Sequence, residues 1–160
     1  MAEKSNSLII VESPSKAKTL KRFLGDEYTI EASVGHVRDL PKSDLGVDVD
    51  NGFTPTYVPS KDKTKVISQL KSIMKGASTL YLATDPDREG EAIAWHLMEI
   101  LKPTIPVKRL AFHEITKTAI QESFDHTRDI DLSLVRAQEA RRILDRLWGY
   151  LVSKKLWFNV

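Results

Sequence analysis

Three carboxylates spaced two residues apart follow a short apolar segment of the chain. Asp85, Asp87 and Glu89 come directly after the sequence Leu-Tyr-Leu-Ala-Thr at residues 80–84 and precede an amphipathic stretch at residues 92–101. Carboxylates this close repel one another, and a bound cation relieves the repulsion. Hard oxygen ligands of this kind suit Mg²⁺, which commonly handles phosphate groups. The spacing therefore predicts a Mg²⁺ site where a buried strand turns into a helix.

An acidic helix start is the competing interpretation of the same cluster. The helix macrodipole favours acids in the first turn, which would account for Glu89 and Glu91. It does not account for two aspartates at the strand end with Pro86 between them. Metal binding is the favoured interpretation for that reason.

Glu12 and Lys16 follow another apolar segment, at residues 8–11. Glu12 would favour its protonated form beside other carboxylates, which suits a general acid, and it is also a candidate metal ligand. Lys16 falls in the first turn of a predicted helix, where backbone N–H groups already attract phosphate. A lysine there opposes the helix dipole, which favours a functional role, although an ordinary polar edge explains each residue equally well.

The chain alternates between strand-like and helix-like segments. This order is typical of an α/β fold, with a mostly parallel four-stranded sheet covered by helices on both faces and a helical segment at the carboxyl end. Strands are predicted at residues 8–11, 28–33, 79–83 and 107–112, and helices at 14–24, 61–75, 89–101, 116–124 and from 131 onward. Because ligands of such sheets bind at the carboxyl ends of the strands, acids from distant segments are expected to share one edge.

Residues 36–60 interrupt this alternation, and Asn51-Gly52 predicts a hairpin within them. His36 follows the second strand at the same predicted edge. A single histidine is more often structural than catalytic, but this position favours a role near the acids. We predict one α/β domain over residues 1–128 with an insertion at about 36–60, and the start of a further, truncated helical domain over 129–160.

The bulk composition excludes several classes of protein. The 160 residues include no cysteine, so disulfides, thiol chemistry and cysteine-based zinc sites are excluded for this segment. No apolar run is long enough to span a membrane, and no signal-peptide pattern opens the sequence, so a cytoplasmic location is expected. The net charge is +2, yet the residues after position 135 include six basic and two acidic side chains. That basic segment favours contact with a polyanion or, equally, forms a solvated helix face.

Arg141 and Asp145 lie four residues apart on the last predicted helix, and Arg142 extends the same polar strip. The ordinary interpretation is a surface ion pair worth a few tenths of a kcal/mol. The functional interpretation is a strip that faces DNA.

Taken together, four segments resemble a known family. The sequence is similar to the amino-terminal part of the bacterial DNA topoisomerase I family, which are type IA enzymes with a Toprim domain. The Asp-x-Asp-x-Glu pattern alone indicates Toprim, and the other contexts narrow the resemblance to the bacterial type IA branch. The segments are VESPSKAK (11–18), SVGHVRDLP (33–41), DPDREGEAIAWHL (85–97) and AQEARRILDR (137–146).

The resemblance implies Mg²⁺-dependent cleavage and religation of one DNA strand through a 5′-phosphotyrosine, which relaxes negatively supercoiled DNA. It implies that Glu12 donates a proton to the leaving 3′ oxygen and that Lys16 holds the scissile phosphate, with His36 in support. The implied Mg²⁺ ligands are Asp85, Asp87, Glu89 and Glu12. The implied DNA contacts are Lys16, Arg88, Arg141, Arg142 and Asp145. The resemblance also places Arg141 and Asp145 with the catalytic residues, and it implies that the truncated domain over 129–160 is the start of a helical DNA-binding domain.

One feature departs from the family pattern. None of the four tyrosines, Tyr28, Tyr57, Tyr81 and Tyr150, has the sequence context of the family's nucleophile. We therefore expect this chain to be a fragment of a larger, monomeric enzyme that works in the cytoplasm at the nucleoid. The fragment is expected to be inactive alone, and its expected partners are DNA and the remaining domains of the enzyme. The alternatives are another Toprim activity, nuclease or primase-like, and a non-catalytic module that binds metal and DNA.

Overall fold

The computed structural model describes residues 6–158 of the chain. Strands and helices alternate through most of that range, as the apolar pattern predicts. The strands are β1 (Ser7–Val11), β2 (Tyr28–Ala32), β3 (Arg38–Asp39), β4 (Val47–Asp48), β5 (Thr54–Pro55), β6 (Val58–Pro59), β7 (Thr79–Leu82) and β8 (Val107–Arg109). The helices are α1 (Pro14–Leu24), α2 (Thr64–Met74), α3 (Arg88–Leu101), α4 (Lys117–Asp125) and α5 (Leu132–Phe158).

The main sheet is parallel and has the order β2-β1-β7-β8. In the centre Ile9 pairs with Ile30 on one side and Tyr81 on the other, and Leu82 pairs with Arg109 at the β8 side. The chain leaves β1 toward β2 and later returns to the opposite side to form β7. The carboxyl ends of β1 and β7 therefore flank the crevice where open α/β sheets bind ligands.

Helices cover both faces of this sheet, which confirms the predicted α/β class. Leu8 and Ile10 of β1 pack in the layer that includes α2 and α3, whereas Ile9 and Val11 pack in the layer that includes α1 and α4. Every apolar residue of β1 is at most 1% exposed. Burial on both faces explains why this strand is a continuous apolar run rather than an alternating one.

Side-chain caps mark the starts of two helices at the edge of the sheet. Ser13 accepts a hydrogen bond from the Lys16 amide and Pro14 opens α1, which ends at Gly25. Asp87 accepts a hydrogen bond from the Gly90 amide and caps α3, so this helix begins at Arg88. Both helices thus begin at the carboxyl edge of the sheet, immediately after Glu12 and Asp85.

The insertion between β2 and α2 consists of two small antiparallel pairs, β3 with β6 and β4 with β5. The predicted hairpin is confirmed, because Asp48 pairs with Thr54 around a turn in which Gly52 has a φ of +69°. Glycine adopts this left-handed conformation without the strain that a Cβ would introduce.

Two segments differ by three residues at one end from the sequence-based prediction, whereas the other helices and strands of the main domain agree to within about one residue at most ends. The helix predicted from residue 61 starts with a 3₁₀ turn, Lys61–Lys63, which has no side-chain cap. The strand predicted to residue 112 ends at Arg109, whose backbone bonds instead with Arg128.

The long helix α5 packs against α3 and continues beyond it. Its later turns expose large apolar side chains, including Leu144, Trp148 and Leu151. Between residues 6 and 158, no helix combines the length and the apolar character needed to cross a membrane.

Candidate active site at the carboxyl edge of the sheet

A lysine joins the first two acids of the predicted site. The Lys16 ammonium group donates hydrogen bonds to Glu12 Oε1 and to Asp85 Oδ1. Glu12 and Lys16 are one helical turn apart, and Asp85 arrives from the end of β7. The side chains of Glu12 and Lys16 are 15% and 30% exposed, and that of Asp85 is 48% exposed. The three groups therefore form a partly solvated ion cluster.

The pKa values of Lys16 and Asp85 are shifted in the directions that favour the charged form of each group. Burial by itself lowers the pKa of Lys16 and raises that of Asp85, because it disfavours charge. Their mutual hydrogen bond and the Glu12 side chain outweigh burial. The pKa of Lys16 consequently lies above its usual value and that of Asp85 lies below.

The second carboxylate oxygen of Glu12 has no such partner. Glu12 Oε2 is buried, and no hydrogen bond reaches it from the described residues. A buried polar atom without a partner is costly in free energy and is uncommon in native proteins. The atom therefore marks a position where a bound cation or donor would be stabilising.

Asp87 and Glu89 project from the start of α3. Asp87 Oδ1 accepts the Gly90 amide at 2.7 Å, and Glu89 Oε2 lies 3.1 Å from His36 Nε2. Glu89 is 56% exposed. Over residues 6–158 no three acidic or histidine side chains already converge as a closed metal cage. The acids share an edge in separate pairs, and the Mg²⁺ site stays a prediction.

Gly90 explains how the strand can turn so sharply into α3. A Cβ at this residue would overlap the backbone carbonyl of Asp85. Thr84 Oγ1 also donates to the Gly90 carbonyl at 2.6 Å. Only a glycine lets the first turn of α3 approach the acidic loop this closely.

His36 reaches the same edge because the pairing of β1 and β2 continues past both strands. The Ser33 amide donates to the Val11 carbonyl, and the Gly35 amide donates to the Glu12 carbonyl, each at 2.9 Å. Gly35 has a φ of +83°, which turns the chain toward Glu89. The predicted position of His36 beside the acids is therefore observed, while its catalytic role is untested.

A buried charge cluster lies behind the acidic loop and was not predicted from the sequence. Arg109 is 1% exposed and Glu91 is fully buried. Arg109 Nε donates to Glu91 Oε1 at 3.0 Å, and Arg128 donates to the same oxygen. Glu91 Oε2 accepts the Asp131 amide at 3.0 Å, next to the start of α5. Glu91 is thus a buried ion-pair partner rather than a surface acid at a helix start.

A second unpredicted group surrounds Arg38. Its guanidinium lies 5.1 Å from the Tyr57 ring centroid and 4.9 Å from that of Trp95, distances that favour cation–π attraction. Arg38 Nε also donates to His96 Nδ1 at 2.8 Å. Burial, together with the positive charge of Arg38, lowers the pKa of His96 to about 3. His96 therefore stays neutral, and its ring stacks edge-on with His36 at a centroid distance of 5.8 Å.

The residues predicted to contact DNA occupy two kinds of position. Arg142 forms a two-pronged ion pair with Asp39, with both N–O distances 2.9 Å, whereas Arg141 and Asp145 form an exposed pair at 3.4 Å. Burial acts to raise the pKa of Asp39, but the bonds from Arg142 hold it below its usual range. Arg88 is exposed at the first position of α3.

A polar cavity of about 310 Å³ connects the acidic edge to α5. It brings Arg142 to the same space as Glu89 and His36, while Arg141 and Asp145 do not line it. The lining residues are His36, Arg38, Asp39, Tyr57, Glu89, His96, Gln138 and Arg142.

The tyrosines lie in structural positions. Tyr28 and Tyr81 pack against Phe124, and Tyr150 lies under the Lys154 ammonium. The Tyr57 hydroxyl donates a hydrogen bond to Glu139 at 2.9 Å. Burial is the larger cause and this hydrogen bond the second cause of a Tyr57 pKa well above the usual range. A tyrosine with a raised pKa is a poor nucleophile at neutral pH.

Comparison with known proteins gives a consistent result. The family model described as the Toprim domain matches residues 7–115. DNA topoisomerase 1 of Streptomyces coelicolor is 54% identical over 172 residues, covering 99% of this chain and 18% of that protein. DNA topoisomerase 1 of Mycobacterium tuberculosis is 54% identical over 167 residues, covering 96% of this chain and 18% of that protein. The chain thus spans roughly a fifth of the length of these curated relatives.

A solved structure matches the fold as well. Full-length topoisomerase I from Thermotoga maritima superposes with a TM-score of 0.86 at 49% identity, over 94% of this chain and 26% of that chain. The predicted resemblance to the topoisomerase I family is therefore confirmed, and the chain belongs to the Toprim domain family.

Proposed function

We propose that this chain contributes the general acid and the metal-binding residues of a type IA topoisomerase, an enzyme that cuts and rejoins one strand of DNA by transesterification. The observation that supports this most is Lys16 held between Glu12 and Asp85 at the carboxyl edge of the sheet. This arrangement brings a carboxyl group, an ammonium group and the acidic loop together in a Toprim chain, which supports the proposed roles of proton donor, phosphate-binding cation and metal site. The relatives named DNA topoisomerase 1 favour this chemistry over other uses of the fold.

The donor set fits Mg²⁺. Asp85, Asp87 and Glu89 offer hard carboxylate oxygens at a partly solvated edge, and the unpartnered Oε2 atom of Glu12 adds a fourth. Bound there, Mg²⁺ would position a DNA phosphate and stabilise the negative charge that develops on it. Because Asp87 and Glu89 already have partners in α3 and His36, side-chain rotation or bridging water would complete their coordination.

The chain's own residues would divide the remaining work. Glu12 would act as the general acid in its protonated form, which it can adopt only while its carboxyl group is not a Mg²⁺ ligand. In that form it would donate its proton to the 3′ oxygen that leaves when the phosphodiester is cut, and it would take the proton back on religation. Lys16 would exchange one of its carboxylate partners for the scissile phosphate. His36 would orient Glu89, and Arg88, Arg141, Arg142 and Asp145 would guide the strand toward this edge.

The nucleophile would come from another part of a longer protein. No hydrogen bond joins a tyrosine hydroxyl of residues 6–158 to Glu12, Lys16 or Asp85, and Tyr57 is unsuited by its raised pKa. The reaction needs no ATP, because the phosphotyrosine ester retains the energy of the bond it replaces. By itself the chain would act as a module that binds metal and single-stranded DNA, as a monomer, and a cytoplasmic location follows from this function.

Binding and cleavage of DNA test the proposal together. A fluorescent single-stranded oligonucleotide should bind the purified chain in a salt-sensitive manner, more tightly with Mg²⁺, and supercoiled plasmid should be neither nicked nor relaxed. Lys16→Met should weaken binding by about tenfold, the effect of one well-placed charged contact. Lys18→Met, on the exposed side of the same helix, is the matched control and should bind as the parent does.

Two outcomes would contradict the proposal. Equal binding by Lys16→Met and the parent would remove the phosphate role of Lys16. Mg²⁺-dependent nicking of plasmid by the chain alone would favour a hydrolytic nuclease, the main alternative for a Toprim chain.

A further inference from the structure

The guanidinium of Arg109 is the most heavily bonded side chain behind the acidic edge. Its Nη1 atom donates to the Leu82, Thr84 and Leu110 carbonyls at 3.0, 2.6 and 2.8 Å. Its Nη2 atom donates to the Asp85 carbonyl at 2.6 Å. Arginine alone among side chains presents several donors in one rigid plane, and the geometry here uses both edges of that plane.

These bonds reach carbonyl groups at the end of β7 and just beyond it, where the pairing of the strands runs out. β7 ends at Leu82, and Ala83 and Thr84 are nevertheless buried. Buried carbonyl groups need hydrogen-bond donors, and Arg109 supplies them from the neighbouring strand β8. The Ala83 amide still donates to the Ile10 carbonyl, and the Leu82 carbonyl also accepts the Leu110 amide. The Thr84 and Asp85 carbonyls, in contrast, are held by the Arg109 side chain.

Glu91 in turn forms a buried ion pair with Arg109. The carboxylate is fully buried and holds Arg109 and Arg128 through one oxygen and the Asp131 amide through the other. Because Glu91 lies in the first turn of α3, the same ion pair fixes the helix that displays Glu89. The acidic loop and α3 are thus joined through one buried guanidinium.

We propose that Arg109 is a positioning residue for the acidic edge: it sets the backbone of Thr84 and Asp85, and thereby where the Asp85 and Asp87 carboxylates stand. This inference rests on the proposed metal-binding function, which assigns no role to Arg109. Arg109 acts through these acids and touches neither DNA nor metal.

Arg109→Lys is the variant that tests this role most closely. Lysine keeps the charge, but its single ammonium group cannot reach the Thr84 and Asp85 carbonyls and Glu91 at once. Arg128→Lys is the matched control, since Arg128 binds the same Glu91 oxygen but donates to neither carbonyl. Ile120→Val, a buried change in the opposite layer, controls for a general loss of packing.

Two measurements on the folded chain are needed. Titration with Mn²⁺, followed by electron paramagnetic resonance, reports the affinity of the acidic edge for a divalent cation. Hydrogen exchange of the Gly90 amide, which donates to Asp87, reports the geometry of the loop without any metal.

Arg109→Lys should weaken Mn²⁺ binding by about 10–100-fold, as loss of a group that orients metal ligands does, and should speed exchange at Gly90. Arg128→Lys and Ile120→Val should stay within about twofold of the parent in both measurements. Arg109→Lys with parental affinity and exchange would overturn the proposal, and so would an equal loss in Arg128→Lys.

Two further outcomes keep this inference separate from the proposed function. If the parent does not bind Mn²⁺, the proposed metal site is wrong. Faster exchange of the Gly90 amide in Arg109→Lys than in Arg128→Lys would then still support the positioning role of Arg109. Equal exchange rates in the two variants would overturn that role. If Arg109→Lys does not fold, Glu91→Gln loosens the same guanidinium. It should weaken Mn²⁺ binding several-fold, and unchanged affinity would contradict the proposal.

Discussion

Glu89 and Glu91 are two residues apart on one helix and have opposite surroundings. Glu91 is fully buried and holds two arginines and a backbone amide. Glu89 is 56% exposed, and its one described ion-pair partner is His36. Successive helical positions two apart point in different directions, so one acid enters the interior while the other remains at the sheet edge.

The difference separates stability from reactivity in one short segment. In the closed cluster, defined as Glu91, Arg109 and Arg128, both carboxylate oxygens of Glu91 accept hydrogen bonds, and the Arg109 guanidinium bonds to the loop behind the site. At the open edge, defined as Glu12, Lys16, Asp85, Asp87 and Glu89, one buried oxygen has no hydrogen-bond partner among residues 6–158, and several groups face solvent. A site that must accept a ligand has polar groups without partners before the ligand binds, which is unfavourable in free energy. Well-bonded residues behind the site offset that free-energy cost.

The largest expected effect contrasts the two glutamates directly. Glu91→Gln should lower the free energy of unfolding by about 3–5 kcal/mol, because two guanidinium groups lose their buried counter-charge. Glu89→Gln should change it by less than about 0.5 kcal/mol. Urea unfolding of both variants measures this, and similar losses would mean that the closed cluster is not a stability element.

Gly90 lies between the two glutamates and offers the next test. Gly90→Ala should lower the free energy of unfolding by about 3 kcal/mol, because the new Cβ would overlap the Asp85 backbone, which cannot move aside freely. Gly149→Ala, where nothing lies within 4 Å of the new Cβ, should be neutral or stabilise α5 by up to about 1 kcal/mol. Thermal unfolding distinguishes them, and an equally mild effect at Gly90 would contradict the close approach described above.

His96 predicts a pH effect. Its pKa is about 3 in the folded protein and 6.5 in the unfolded chain, because burial and Arg38 disfavour the charged ring. Between these values the unfolded chain binds a proton that the folded protein does not, so stability falls as pH decreases. From pH 6 to 4.5 the parent should lose about 2 kcal/mol more than His96→Gln does.

Urea unfolding at several pH values measures that difference, with His126→Gln as an exposed-histidine control. Parallel pH profiles for the parent and His96→Gln would show that the ring is protonated in the folded state and would contradict the described burial.

The two ion pairs of α5 provide the smallest contrast. A double-mutant cycle on Asp39 and Arg142 should give a coupling energy of about 1 kcal/mol, because the pair is two-pronged and half-buried. The cycle on Arg141 and Asp145, both 59% exposed, should give about 0.3 kcal/mol. Equal couplings would indicate that α5 is not anchored to the insertion through Asp39.

Much of the fold could be predicted from the sequence because periodicity and capping are local. The apolar runs of β1 and β7, the Ser13-Pro14 start of α1 and the Asn51-Gly52 turn each contain their own signal. The shared edge of Glu12, His36 and Asp85 could be predicted too, because parallel strands align their carboxyl ends.

The closed cluster had no such local signal. Arg109 is one charged residue in a strand-like segment, and Glu91 fits an ordinary acidic helix start. Their pairing depends on how β8 packs behind α3, which no short spacing encodes. Asp39 and Arg142 are more than a hundred residues apart, so their contact depends on tertiary structure in the same way.

Mg²⁺ titration by calorimetry tests the central claim, that the open edge is a divalent-metal site, most directly. The parent should bind Mg²⁺, and Asp85→Asn and Asp87→Asn should each weaken binding by at least about tenfold, since a carboxylate ligand is lost. Asparagine caps a helix as well as aspartate does, so Asp87→Asn should leave α3 intact. Asp26→Asn, whose side chain is 89% exposed at the end of α1, is the control. Equal Mg²⁺ affinity in all four proteins would contradict the account.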